Sequence, residues 1–292
     1  MTAEYLTTAE VAELLRIKER KVYDLASGGD MPCVRVVGKL LFPRAEIEDW
    51  IAAARSGPAR KVPPLPRIVA GSHDPLLDWA LRESGSSLAG FFDGSLDGLK
   101  RIARRDAMAA GLHLHEPEGW NAARVAHDFP AKPVVLVEFA TRRRGLIVPP
   151  DNPHGLTGIA DLATHRFSRR QPTAASQKLF EHLAREAGID PEGLSGPDSV
   201  ARTEADVALP VLNGAADAAF GLQSVAHQLR LGYVDLLEER FDLLVWRQAY
   251  FSEEFQQLIK FLLSDTFTAQ AAGMTGYDIG GLGRVHYNAP CP

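Results

Sequence analysis

The stretch TTAEVAELLRIKERKVYDLA, residues 7–26, reads as two short helices joined by a tight turn. Thr7 with Glu10 three residues later is a capping-box pattern, which satisfies free amides at a helix start. Val11, Leu14 and Leu15 fall on one helical face, and Ile17 marks the break. A second helix starting near Lys18 buries Val22 and Leu25, which turns Arg20, Lys21 and Asp24 outward. A helix pair with basic residues on its second member suits insertion into the major groove of DNA.

Outward from that pair, Ser27, Gly28, Gly29 and Asp30 stop the second helix, and residues 33–37 form a β-rich run. Gly38 and Lys39 turn it back into Leu40, Leu41 and Phe42, which predicts a small hairpin or wing. Pro43 stands before a third helix over residues 44–54, with Ala45, Ile47, Trp50 and Ile51 as its apolar face. The order YLTTAEVAELL (5–15), then KERKVYDLASGGDMPCVRVVGKLLFPRAEIEDWI (18–51), closely resembles the excisionase-type winged helix-turn-helix, a relative of the MerR family. The resemblance implies that the second helix meets base edges and that the wing reaches phosphate through Lys39. Lys18, Arg20, Lys21, Arg35 and Lys39 are the candidate DNA contacts.

Residues 1–61 carry ten Lys and Arg against nine Asp and Glu, so attraction to DNA must come from clustering and not from net charge. The remaining 22 basic and 28 acidic residues make the rest of the chain acidic, which argues against a second DNA-coating surface. The full 292 residues exceed one ordinary domain, and a hydrophobic content of 46% is ample for buried cores. Cys33 and Cys291 are too far apart in sequence to imply a disulfide framework or a Cys-rich metal site. The first residues read as folded-domain sequence without a leader, and no apolar run approaches the roughly 20 residues of a membrane span. A soluble, cytoplasmic protein with no membrane partner is expected.

The run AAARSGPARKVPPLPR (52–67), with its four prolines, is an extended connector without a core of its own. The domain expectation is therefore 1–55 for the winged helix-turn-helix, 56–66 for the linker and 67–292 for a third, larger part. Beyond the linker, short strands alternate with helices, which favours an α/β domain with parallel sheets and helices on both faces. Strands are expected at 68–70, 88–92, 109–114, 134–139, 145–148, 216–221 and 233–237. Four segments, GSLDGLKRIARRDAMAAGLHL (94–114), RFSRRQPTAASQKLFEHLAREAGI (166–189), ADVALPVLNGAADAAFGL (205–222) and GMTGYDIGGLG (273–283), come in an order that resembles the type II periplasmic-binding-protein-like domain, in its molybdate-binding-related branch. The resemblance implies two α/β lobes joined by crossing strands, with ligand in the cleft between them. Lobe one would be 67–145 with 246–287, and lobe two 146–245. In family members fused to a DNA-binding head, the domain acts as a sensor.

Several strand-to-helix turns carry hydroxyl residues: Ser72, Ser95, and Thr173 with Ser176. Exposed amides at a helix start with a hydroxyl nearby bind anionic oxygens, and open α/β sheets place ligands at such turns. The same residues could equally cap their helices. Arg170 and Gln171 precede one turn and can add charge-assisted contacts. Family members read Arg-Gln-x-Gly-Ser-Gly-Thr-Arg there, whereas residues 170–177 are RQPTAASQ; Thr203 is followed by Glu204 where the family has Thr-His. The expected ligand is an oxyanion such as molybdate or tungstate, but both departures lower positive charge, so a carboxylate or another small organic molecule competes with it. His113 follows an apolar strand, on one face with His115, and is either a cleft residue, as the resemblance implies, or a buried histidine that satisfies a backbone carbonyl, the commoner outcome. The Tyr277–Asp278 pair is read as part of a C-terminal loop, and Trp79, Trp120 and Trp246 as packing.

No nucleophile elbow, phosphate-binding P-loop, HExxH or paired-carboxylate motif occurs, and no cofactor or metal is implied. The sequence thus predicts a homodimeric, one-component regulator of transcription whose partners are double-stranded DNA and a small ligand. The rival expectation is a solute-binding or enzymatic protein with a vestigial DNA-binding head.

Overall fold

The computed structural model describes residues 5–54, 63–130 and 132–290. The chain divides into two compact units, Met1–Pro63 and Pro64–Pro292. Most of the proline-rich stretch 56–66 lies outside the described residues.

The first unit holds the helices Thr8–Leu15, Glu19–Gly28 and Arg44–Ala53. Thr7 and Glu10 close the capping box in both directions, through Glu10 N–H to Thr7 Oγ1 at 3.3 Å and Thr7 N–H to Glu10 Oε2 at 2.7 Å. Arg16 and Gly29 end the first two helices in the left-handed region. Strand Lys39–Pro43 lies between Tyr5–Leu6 and Val34–Val36, antiparallel to both. Val37 and Gly38 both have positive φ, as a tight two-residue hairpin turn requires. Val11, Val22, Phe42 and Ile47 form the fully buried centre of this unit. Leu14 and Ile51, expected on apolar faces, are instead exposed, because helices this short bury only the residues that meet Phe42 and its neighbours.

The second unit is built on two strands of fifteen residues each, Val134–Val148 and Gly232–Trp246, paired antiparallel along nearly their whole length. At one end Gly232–Trp246 continues through Ala109–Leu112 and Ile68–Gly71 to Ala89–Phe92. At the other, Val134–Val148 pairs with Ala218–Leu222 and then Phe167–Ser168. The outer pairings are parallel, but the central ones are antiparallel, so the sheet is mixed and not parallel throughout. The long strands pass from one hydrophobic core, which includes Val69, Leu112 and Leu136, into others around Phe167 and Val207. They make the unit two-lobed.

Residues 134–139 and 145–148 are one strand, and 233–237 is only the start of another. Tyr277–Asp278 is not a loop: it pairs with Val134–Val148 at Arg142 and Thr141.

Candidate ligand cleft and nucleic-acid interface

In the first unit Lys18, Arg20, Lys21, Arg35 and Lys39 are all exposed. Lys18 is the N-cap of the second helix, Arg20 and Lys21 lie in its first turn, and Arg35 is paired with Leu40 in the hairpin beside Lys39. Val22 and Ala26 hold that helix on the core, which leaves its basic side in solvent.

In the second unit the middle of the crossing strands carries the unusual chemistry. Arg142 and Arg144 alternate with Arg143 along one strand, so they share a face while Arg143 points the other way. Arg142 and Arg144 are 1% and 0% exposed. Glu239 stands directly opposite Arg142 on the partner strand, and its Oε1 accepts from Arg142 Nη2 and from Arg144 Nη2, the latter at 2.8 Å. Arg142 Nη1 also donates to Asp74 Oδ2 at 2.7 Å. Arg144 grips Glu204 with both terminal nitrogens, at 3.0 and 3.1 Å, and Arg170 Nη1 reaches Glu204 Oε1 at 2.8 Å. Tyr277 donates its hydroxyl to Asp74 Oδ2 at 2.6 Å.

These charges fix each other's ionisation. Burial alone would raise the Glu204 carboxyl, but Arg144 and Arg170 outweigh it and hold the group at about 2. Glu239 is likewise pushed up by burial, yet Arg142 and Arg144 bring it well below the carboxylate range. His113 goes the other way: burial lowers its pKa more than Glu239 raises it, so the ring is neutral near pH 7. Its Nδ1 lies 3.0 Å from Glu239 Oε2 and its Nε2 2.8 Å from Ser72 Oγ. In the neutral ring Nδ1–H therefore donates to the Glu239 carboxylate, and the Ser72 hydroxyl donates to Nε2. Ser–His–carboxylate is the order of a hydrolase relay. Here, however, the Glu239 charge is already shared by two guanidinium groups, and Ser72 is only 3% exposed.

Of the residues expected to bind ligand, Ser72, Ser95, His113 and Arg170 lie in one continuous hydrogen-bonded chain, Ser95 Oγ accepting from His113 N–H at 3.3 Å. Gln171 bridges the lobes instead, its Nε2 reaching Asp93 O at 3.4 Å and Asp93 Oδ1 at 3.2 Å. Beside this bridge Gly94 has φ +97°, and a Cβ there would stand 3.2 Å from Thr173 O. Thr173 itself is exposed. Ser176 is buried with no partner for its hydroxyl among the described residues. Thr203 caps a short turn, accepting from Asp206 N–H at 3.0 Å. His115 does not share a face with His113: the strand ends at Leu112, and His115 belongs to a separate exposed hairpin with Trp120.

Asp74, Arg142, Arg144, Glu204, Glu239 and Tyr277 are absent from the sequence-based site. The one available signal was the TRRRG run (141–145) between two apolar strand segments, where a solvated charge run would break a sheet. Two grooves are lined by chain neighbours of these residues and by none of the network residues themselves. One, of about 560 Å³, is lined by Leu114, His115, Ala175 and His182, and another, of about 430 Å³, by His73, Ala205, Ser224 and Gln270. No helix among the described residues is long and apolar enough to cross a membrane.

A helix-turn-helix unit followed by two lobes on crossing strands defines a DNA-binding head joined to a solute-binding fold. The chain belongs to the PBP superfamily, whose domain model matches residues 79–263, and residues 5–55 match a helix-turn-helix domain. It is 25% identical over 305 residues to the uncharacterized protein YvgK of Bacillus subtilis (strain 168), covering 97% of this chain and 98% of that one. A protein in the 5′ region of a 2Fe-2S ferredoxin gene of Clostridium pasteurianum is 29% identical over 108 residues, which is 37% of this chain and 95% of that one. Among solved structures, a Clostridium perfringens protein described as a phosphate ABC transporter substrate-binding protein with bound phosphate superposes with a TM-score of 0.53 at 13% identity, covering 73% of this chain and 99% of that one. The large unit thus has the type II periplasmic-binding-protein fold.

Proposed function

We propose that this chain is a cytoplasmic one-component regulator of transcription, in which a small ligand held between the two lobes sets the DNA affinity of the helix-turn-helix head. The observation that carries the reading is the joining, in one chain, of a helix-turn-helix domain to a two-lobed solute-binding fold. On this reading Lys18, Arg20, Lys21, Arg35 and Lys39 contact double-stranded DNA, as in the excisionase and MerR-type heads that the first fifty residues resemble. A homodimer supplies two heads for two half-sites. A ligand can act only through a preference for one lobe arrangement, and the Gln171–Asp93 bridge is a contact that such a preference would make or break.

For the ligand, the molybdate-related resemblance suggests an oxyanion, and the structural relative in Clostridium perfringens is described with phosphate. The charge balance of the buried network supports a small organic molecule over either. Gel shifts with DNA from upstream of the gene test the regulator reading, and a thermal-shift screen across oxyanions, carboxylates and neutral metabolites tests the ligand class. Absence of DNA binding at every salt and ligand condition would overturn the first; no stabilising compound of any class would count against the cleft.

A further inference from the structure

We infer that Glu204 is a built-in anion: its carboxylate fills the place that the cleft arginines would offer an oxyanion, and the cleft accordingly selects a small ligand without net negative charge. The inference rests on the reading of this cleft as the ligand site. Glu204 is fully buried, and the backbone around it is tied down. Thr203 N–H donates to Asp206 Oδ2 and Asp206 N–H to Thr203 Oγ1, both at 3.0 Å, so the turn holds Glu204 in place. Both carboxylate oxygens are taken. Oε2 accepts from Arg144 Nη1 at 3.0 Å, and Oε1 accepts from Arg144 Nη2 at 3.1 Å and Arg170 Nη1 at 2.8 Å. A planar carboxylate gripped by one guanidinium fork and a second arginine has the contact pattern of a bound free anion.

The charge of the surroundings gives the same answer. Arg142, Arg144 and Arg170 face Asp74, Glu204 and Glu239, with His113 and Tyr277 neutral beside them. The positive and negative groups cancel. A free anion entering this dry site brings a charge with no counter-charge left to meet it, unless Glu204 is first expelled. The donors left without protein partners within this network add no charge beyond the three guanidinium groups already counted. The Nε–H groups of Arg142, Arg144 and Arg170 and the Ser176 hydroxyl lack protein partners. Such groups suit carbonyl or hydroxyl oxygens of an uncharged molecule.

The test is calorimetry on the full chain and its Glu204→Gln and Glu204→Ala variants, with inorganic phosphate, molybdate and acetate as probes. The wild-type protein should show no binding of these anions. Each variant should gain affinity for at least one of them by about tenfold or more. The melting temperature of Glu204→Ala should rise with added acetate, which refills the vacated carboxylate position, while that of the wild type stays fixed. If Glu204→Ala folds only with acetate present, that rescue is itself the expected result. Wild-type binding of phosphate or molybdate as tight as in the variants would overturn the inference, as would two folded variants with no gain, or a Glu204→Ala chain that acetate fails to rescue. Gel shifts read the DNA-binding head separately: their failure would sink the regulator reading and leave the Glu204 result standing.

Discussion

Arg142 and Glu239 face each other in register across the two crossing strands, paired through Nη2 and Oε1 with both side chains fully buried. Because these strands run from one hydrophobic core into the others, the ion pair sits where the chain passes between the lobes. Replacing Arg142 by Met keeps much of the volume but leaves Asp74 and Glu239 short of a counter-charge in a dry site. The expected loss is about 3–5 kcal/mol, as for other buried pairs broken on one side. Urea denaturation monitored by circular dichroism measures it, and a loss below about 1 kcal/mol would mean that water replaces the guanidinium.

Acid should destabilise the large unit in two stages. The His113 pKa is lowered by burial, so the folded ring resists the proton that an unfolded chain accepts below its ordinary 6.5, and stability drains as pH falls below that value. Glu204 sits at about 2 against an ordinary 4.5, so its contribution is complete above pH 4.5 and disappears as pH falls toward 2. That second loss is on the order of 3 kcal/mol. Urea midpoints between pH 7 and pH 3 should show both stages in the wild type, and Glu204→Gln should make the lower one smaller, with Glu239 supplying what remains.

Tyr277→Phe removes the hydroxyl that donates to Asp74 at 2.6 Å and so loosens the tail strand Tyr277–Asp278 from the crossing strand. A hydrogen bond to a charged partner contributes roughly 1.5–3 kcal/mol, and Asp74 retains Arg142 and the Leu77 amide, so the lower end is expected. Thermal unfolding of the variant reads the difference directly.

Gly94→Ala tests lobe closure. At φ +97° and ψ 160° a side chain is strained by about 1–3 kcal/mol wherever it stands. Here the new methyl also meets Thr173 O across the cleft at 3.2 Å. Small-angle scattering should report a larger radius of gyration than wild type; an unchanged radius with only lower stability would assign the effect to backbone strain alone.

Arg20→Ala and Lys21→Ala should weaken DNA binding with little change in melting temperature, since both side chains are exposed and Val22 supplies the packing. Lys39→Ala should lower affinity evenly across sequences and reduce the salt slope by about one. Gel shifts over a salt series check all three, and unchanged values throughout would place the DNA surface elsewhere.

The helix-turn-helix unit was legible because its signals are local. Thr7 and Glu10 cap the eight-residue helix Thr8–Leu15, Gly29 ends the next, and Gly38 marks the hairpin, although the turn falls at Val37–Gly38 and not at the expected Gly38–Lys39, all within one or two turns of chain. The solute-binding fold was legible from the order of its short motifs, together with the alternation of strands and helices. Ser72, Ser95 and Arg170 became candidates because they stand at turns where a strand hands over to a helix, and the structure joins them in one hydrogen-bonded chain.

The centre of the cleft was another matter. Arg142 and Arg144 look like a solvated charge run, and Asp74, Glu204, Glu239 and Tyr277 lie 68, 60, 97 and 203 residues from the partners that explain them. Periodicity assigns a charged residue to the surface because burying a lone charge is prohibitive; only when the fold brings opposite charges together does burial become tolerable. The chain's own sequence determined the head, the fold class and the turns at which strands hand over to helices. The pairing of fifteen-residue strands across both lobes decided that three arginines and three carboxylates would meet there, since an ion pair of that kind exists only once tertiary structure has excluded water from it.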